Sequence, residues 1–125
     1  MTTLIEQLAD YSVSEANSTL RGDVRHHAKR AVLDWFAALY PGTREPVAQR
    51  LAQSYADEHG TGRSSLPGYG ATALPTTAGW INGTSSHAVE FDDIFKDAIY
   101  HPGVPTVSAA LAVGEHIGAS GEDFL

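Results

Sequence analysis

The feature that most constrains this chain is the apolar stripe in residues 24–39. Val24, Ala28, Ala31, Trp35 and Leu39 recur every three to four positions, Val32 and Phe36 widen the stripe, and the run stops at Pro41-Gly42. That period belongs to a helix with one buried face, because a strand would alternate every second residue. Weaker versions of the pattern flank it. Residues 3–12 read as a first helix, with Thr3 and Glu6 spaced as a capping box and Leu4, Leu8 and Tyr11 on one side. Residues 12–20 read as a polar connection. Pro46 opens a third helix that carries Val47, Leu51 and Tyr55 and ends near Gly60. Residues 60–73, rich in Gly, Ser and Pro, read as a loop with one extended piece around Ser65-Leu66.

Pro75 to about Ala88 reads as a fourth helix, with Ala78, Ile81 and Ser85 on one side. Its internal Asn82-Gly83 calls for a close backbone approach or a helix break, since glycine disfavours a helix interior. A loop from Glu90 to Pro105 follows. Val107, Ala110, Leu111, Ala112, Val113 and Ile117 then make an alanine-rich fifth helix ending at Gly118. Ser120-Gly121-Glu122-Asp123 is a helix-start signature, with Phe124 and Leu125 as the first apolar residues of a sixth helix. The expected class is all-α, about five helices plus the start of a sixth, in one domain over residues 1–125. A cap that announces a helix with no body suggests that the domain is truncated at its C-terminal end.

Composition removes several function classes. The chain has no cysteine, so thiolate metal sites, disulfides and catalytic thiols are excluded. It has no run of about 18 apolar residues, and its start lacks a basic segment followed by an apolar core, so no membrane association and a cytoplasmic location are expected. The charge is lopsided. Residues 64–125 set Lys96 alone against Glu90, Asp92, Asp93, Asp97, Glu115, Glu122 and Asp123, which disfavours a nucleic-acid partner. Arg25, Lys29 and Arg30 read as a solvated helix face. The Gly-rich loop is not a phosphate cradle, because no Gly-Lys-Ser/Thr follows it.

The chemistry-bearing stretch is residues 82–103. His87, Glu90, Asp92, Asp93, Asp97 and His101 fall within fifteen positions, interleaved with Phe91, Phe95 and Tyr100. Imidazoles and carboxylates among aromatics are what proton transfer requires, since the rings exclude water around the titrating groups. His101 precedes Pro102-Gly103 near the start of the fifth helix, whose N-terminus would favour a bound carboxylate. The ordinary alternatives are a packed or capping role for His87, and helix capping or bonds to loop amides for Asp92 and Asp93. Asp92-Asp93 followed by Asp97 also has the DDxxxD look of a magnesium motif. The second acidic motif and the cationic groups such a site needs are missing. His87, Asp92 and His101 are the types that ligate a transition metal, but their spacing is not a ligand signature. No metal is therefore expected.

Taken together, Asn82-Gly83, Ser86-His87-Ala88, Glu90-Phe91-Asp92-Asp93, His101-Pro102-Gly103, Ala109-Ala110-Leu111-Ala112 and the tail Gly118 to Leu125 resemble the MmgE/PrpD family. The resemblance spans the whole chain. It implies a several-fold longer enzyme with a helical domain built from both chain ends and a smaller α/β lid. It also implies a homodimer with no metal or organic cofactor. The implied substrates are small di- or tricarboxylates, and the implied chemistry is proton transfer next to a carboxylate. A hydro-lyase like 2-methylcitrate dehydratase is the leading expectation. An iminodisuccinate-type epimerase, a decarboxylase and a non-catalytic helical remnant are the alternatives.

On the matching positions, the resemblance implies catalytic roles for His101, Asp92 and Glu90, and substrate binding by His87, His101 and Asp93. Two positions depart from the family pattern. Glu90 stands where the family has aspartate, and Ile94 replaces a threonine, which argues against decarboxylation. The family's catalytic lysines and a further histidine would lie beyond residue 125.

Overall fold

The computed structural model describes residues 2–16 and 18–125. Among the described residues six helices form: α1 (Leu4–Ala16), α2 (Gly22–Gly42), α3 (Pro46–Ser54), α4 (Pro75–His87), α5 (Gly103–Ile117) and α6 (Gly121–Phe124). A single 3-10 turn, Ala56–Glu58, extends α3, and a two-stranded hairpin, β1 (Ser64–Leu66) with β2 (Ala71–Ala73), interrupts the series. The protein is helical, as the stripe predicts, with the hairpin as its one departure among the described residues.

Local chemistry explains most boundaries. Thr3 and Glu6 close a reciprocal box: the Thr3 amide donates to Glu6 Oε2 at 2.7 Å, and the Glu6 amide donates to Thr3 Oγ1 at 3.3 Å. These bonds from the Thr3 backbone and then its hydroxyl hold the Glu6 carboxyl below its ordinary value. The helix runs on to Ala16 rather than stopping at residue 12, and within it Ser12 turns its hydroxyl back onto the Leu8 carbonyl. In α2 the proline at 41 falls within the last turn, and the chain leaves through Thr43, whose amide donates to the Leu39 carbonyl.

The core is small and lies where α2, α4 and α5 meet. Trp35, Leu39 and Val107 form one buried cluster, against which Phe124 of α6 packs. Ala52, Leu66, Ala73, Ala78, Ile81 and Ala112 form the other. The α2 stripe is buried only in its C-terminal half: Trp35, Ala38 and Leu39 are buried, whereas Val24 and Ala31 are exposed. In α3 the buried residues are Ala48 and Ala52, while Val47 is exposed and Leu51 and Tyr55 are half-buried. Small side chains let the backbones approach. At Gly42 an added Cβ would overlap the Ser85 carbonyl oxygen of α4.

Asn82 and Gly83 do not break α4. Asn82 is fully buried and donates its Nδ2–H to the Ser65 carbonyl at 2.9 Å, tying the hairpin to the helix. Gly83 faces Ser108 of α5. The hairpin is also fastened to α5, where Glu115 accepts from the Ser65 amide and Ala112 accepts from the Ser64 hydroxyl, both at 2.6 Å. Its turn, Pro67-Gly68-Tyr69-Gly70, places both glycines at positive φ. Helix α5 starts at Gly103, four residues before its first expected apolar position, and leaves Val113 and Ile117 exposed. The box at Ser120 and Asp123 forms as expected.

Candidate active site

Two packed helices present the candidate site. His87 is the last residue of α4, and His101 stands two residues before α5 begins. The loop between them holds Asp92, whose side chain is only 2% exposed. Asp92 Oδ2 lies 2.9 Å from His101 Nδ1, and both of its oxygens lie 3.2 Å from His87 Nδ1. The imidazole centroids are 4.7 Å apart and set edge to face.

A carboxylate can only accept, so a hydrogen bond to it from Nδ1 requires the proton on that nitrogen. In each neutral imidazole Nε2 is then the free acceptor, which is the atom a general base needs. The side chains are 43% exposed at His87 and 26% at His101, so both rings remain reachable. They line a cleft of about 270 Å³ whose other walls are Ile99, Tyr100, Val104 and Pro105.

The remaining expected residues sit apart from this cluster. Glu90 is exposed, takes a positive φ of 52°, and its carboxylate accepts no hydrogen bond among the described residues. Asp93 faces the other way. Its Oδ1 accepts from the Gly103 amide at 3.0 Å, and its own amide donates to Asp34 of α2 at 3.1 Å. The α5 N-terminus, expected to receive a substrate carboxylate, thus receives the protein's own. A Cβ at Gly103 would overlap Asp93 Oδ1, so a larger residue there would displace this carboxylate. Asp97 and Ile94 are exposed. The DDxxxD reading therefore dissolves: Asp92 points to the imidazoles, Asp93 to a backbone amide, and Asp97 to solvent.

A second, larger cleft of about 610 Å³ runs along α2, where His27, Arg30 and Asp34 meet Phe91 and Asp93 of the loop. Neither imidazole of the Asp92 cluster lines it. Arg30 is exposed, as its reading as a solvated cation expects, and it also stands beside the loop that carries the site. The signal was present in the spacing, since residues 27, 30, 34 and 37 share one helical face. The walls Tyr100, Val104 and Pro105 gave no such signal, because nothing in a loop's sequence sets which side chains close a cleft.

The tongue between Asp93 and His101 is exposed and, Lys96 and Asp97 apart, apolar. Phe95 and Tyr100 pair across it as an isolated bridge, and Ile99 takes a positive φ of 48° while 82% exposed. A β-branched residue in that region is strained.

Comparison with known proteins agrees with this architecture. The family model for the MmgE/PrpD N-terminal domain matches residues 6–125. The chain is similar to cis-aconitate decarboxylase of Aspergillus terreus, 25% identical over 116 residues, covering 93% of this chain and 24% of that protein. It is also similar to the cis-aconitate decarboxylase-like protein oryM of Aspergillus oryzae, 30% identical over 109 residues, covering 87% of this chain and 23% of that protein. The chain thus spans about a quarter of the length of these relatives. No solved structure matches it. With a match over residues 6–125 and a helical fold to carry it, the chain belongs to the MmgE/PrpD family.

Proposed function

We propose that this chain supplies a proton-transfer centre to a lyase acting on a small di- or tricarboxylate, without a metal or organic cofactor. The observation that carries the reading is the buried Asp92 carboxylate shared by His87 and His101. His101 acts as the general acid/base, and Asp92 holds its ring and tautomer. His87, on the same carboxylate, contacts the substrate and provides a second proton-transfer group. Asp93 serves the substrate indirectly by seating the first turn of α5, and Glu90 reaches it from the exposed rim of the loop.

Within the lyases, the paired imidazoles favour dehydration of a tricarboxylate of the 2-methylcitrate type. Such a step breaks a C–H bond next to a carboxylate and a C–O bond on the neighbouring carbon, so a base and an acid are both needed. The second reading is decarboxylation, favoured by the names of the two Aspergillus relatives. It requires a single proton donor once CO₂ has left. Epimerisation next to a carboxylate would use the same two groups as base and acid. The working assembly is a cytoplasmic homodimer, in which cationic groups that neutralise the substrate come from outside residues 64–125.

The test uses the protein expressed from its complete gene. Methylcitrate is followed by absorbance of the unsaturated product, and cis-aconitate by release of CO₂. Activity on methylcitrate that falls at least about a hundredfold in His101→Gln supports the dehydratase. CO₂ release alone selects the decarboxylase. A folded protein inert toward every polycarboxylate leaves only the non-catalytic helical role.

A further inference from the structure

The Asp92 carboxylate poses a charge problem that its neighbours do not close. It is 2% exposed, and among the described residues it accepts hydrogen bonds only from the two imidazoles. Among the described residues no lysine, arginine or backbone amide donates to it. Two imidazole N–H groups satisfy its hydrogen bonding without neutralising its charge, and a positive charge set between the rings would stabilise a buried carboxylate further. Two positive partners fit between these rings: a proton on an imidazole, or a metal ion.

We infer that His87, Asp92 and His101 form a binding site for a borderline divalent transition-metal ion of the Zn²⁺ class, occupied in competition with the proton-transfer state. One donor atom from each residue lies within 4.8 Å of the others. A tetrahedral ion with bonds of about 2.0–2.1 Å spaces its ligands by roughly 3.4 Å. The two nitrogen-to-oxygen distances, 2.9 and 3.2 Å, are therefore already close to a metal's needs. Only the two rings need to adjust to each other. Both are partly exposed, His87 at a helix end and His101 in a loop, so they have room to do so. Three protein ligands leave the fourth position open to water or to a substrate carboxylate.

The donor set also sorts the ions. Two imidazole nitrogens and one oxygen favour zinc, cobalt, nickel or iron(II) over magnesium and calcium, which require oxygen. The consequence for chemistry is inhibition. The metal takes Nδ1 of both rings and the Asp92 oxygen, so the carboxylate no longer fixes the proton on Nδ1, and Nε2 ceases to be the free base. That consequence rests on the function proposed above, whereas the binding itself rests on the geometry alone.

The experiment titrates the full-length protein with Zn²⁺ by calorimetry, repeats it with Co²⁺ followed by visible absorption, and challenges both with Mg²⁺. Expected are one Zn²⁺ per chain, Co²⁺ bands of low-symmetry N/O coordination, and no competition from Mg²⁺. His87→Gln and His101→Gln should each weaken binding at least about tenfold and abolish the Zn²⁺-induced rise in Tm. Both rings are partly exposed, so these variants keep the fold, and Asp92→Asn serves as a third, isosteric check. Absence of binding overturns the inference. So does binding unchanged in His87→Gln and His101→Gln, which would place the ion elsewhere, for instance at the adjacent His26 and His27. Lyase activity undiminished at Zn²⁺ saturation would overturn the competition. Zn²⁺ binding at the three residues in a protein with no lyase activity would support the site and sink the proposed function instead.

Discussion

Helix α1 and the α4–α5 pair make opposite use of helical sequence. α1 has a spaced apolar face and a complete capping box, yet none of its residues is buried, and Leu4, Ile5, Leu8 and Tyr11 are all more than half exposed. α4 has weaker caps and an internal glycine, yet it buries six residues, among them Asn82, Ser85 and Ser86. Caps and period decide that a segment is helical. Side-chain size at the crossing decides whether its backbone can come close enough to another helix to be covered. Gly79 and Gly83 of α4 face Ser108 and Ala112 of α5, and that close fit makes the pair the frame of the molecule.

The sharpest test of this contrast is a matched pair of truncations. Ile81→Ala removes a fully buried side chain and should lower unfolding free energy by about 2–5 kcal/mol in a denaturant titration. Leu8→Ala in α1 should change it by less than about 0.5 kcal/mol. Equal losses at the two positions would break the comparison. A somewhat smaller effect is expected from Gly42→Ala, where the new Cβ drives α2 off the Ser85 carbonyl, at about 1–3 kcal/mol. Thermal unfolding reads it, and an unchanged Tm would show that the crossing has slack.

Trp35→Phe keeps an aromatic ring in the core but leaves the Ser108 hydroxyl without its 3.0 Å indole partner. About 1 kcal/mol should be lost, and Ser108→Ala combined with it should add little, which a double-mutant cycle measures. Smallest of all is an acid effect at α6. The Ser120 hydroxyl, then its amide, holds the Asp123 carboxyl below its ordinary 3.8. The box therefore stabilises α6 fully above that value and loses its contribution as pH falls through the lowered one. Protection of the Phe124 amide, measured against the unfolded chain at the same pH, should hold at neutral pH and drop only in acid, and Ser120→Ala should remove the transition.

Much of this was legible in residues, and the failures share a cause. The proline at 46, the period of α2 and the Ser120 box are local signals, and each marked its element. The hairpin was half visible, as an extended piece at Ser65-Leu66, because its partner strand is the small-residue run Ala71-Thr72-Ala73. The buried face of α3 was misplaced by one residue toward larger side chains, since periodicity cannot say that a close crossing will select Ala48 and Ala52. At the site, His87, Asp92 and His101 were all named from composition, and the fold brings them together. Glu90 and Asp93 were named on the same grounds, yet backbone conformation turns Glu90 out and Asp93 onto the Gly103 amide. A capping bond for Asp93 was among the readings its position offered, whereas nothing in the order of residues turns Glu90 out.

The Asp93–Gly103 hydrogen bond closes the base of the tongue, so the chain departs and returns at nearly one point. His87 and Asp92 lie outside that closed ring, and His101 lies just inside it, two residues from its anchor at Gly103. Residues 94–100 are therefore an exchangeable segment. Doubling such a loop's length adds only about 0.6 kcal/mol of closure entropy. Insertions and substitutions there would reshape the Ile99 and Tyr100 wall of the cleft while leaving the acid–base machinery where it stands. The molecule can change what it accepts without renegotiating how it reacts.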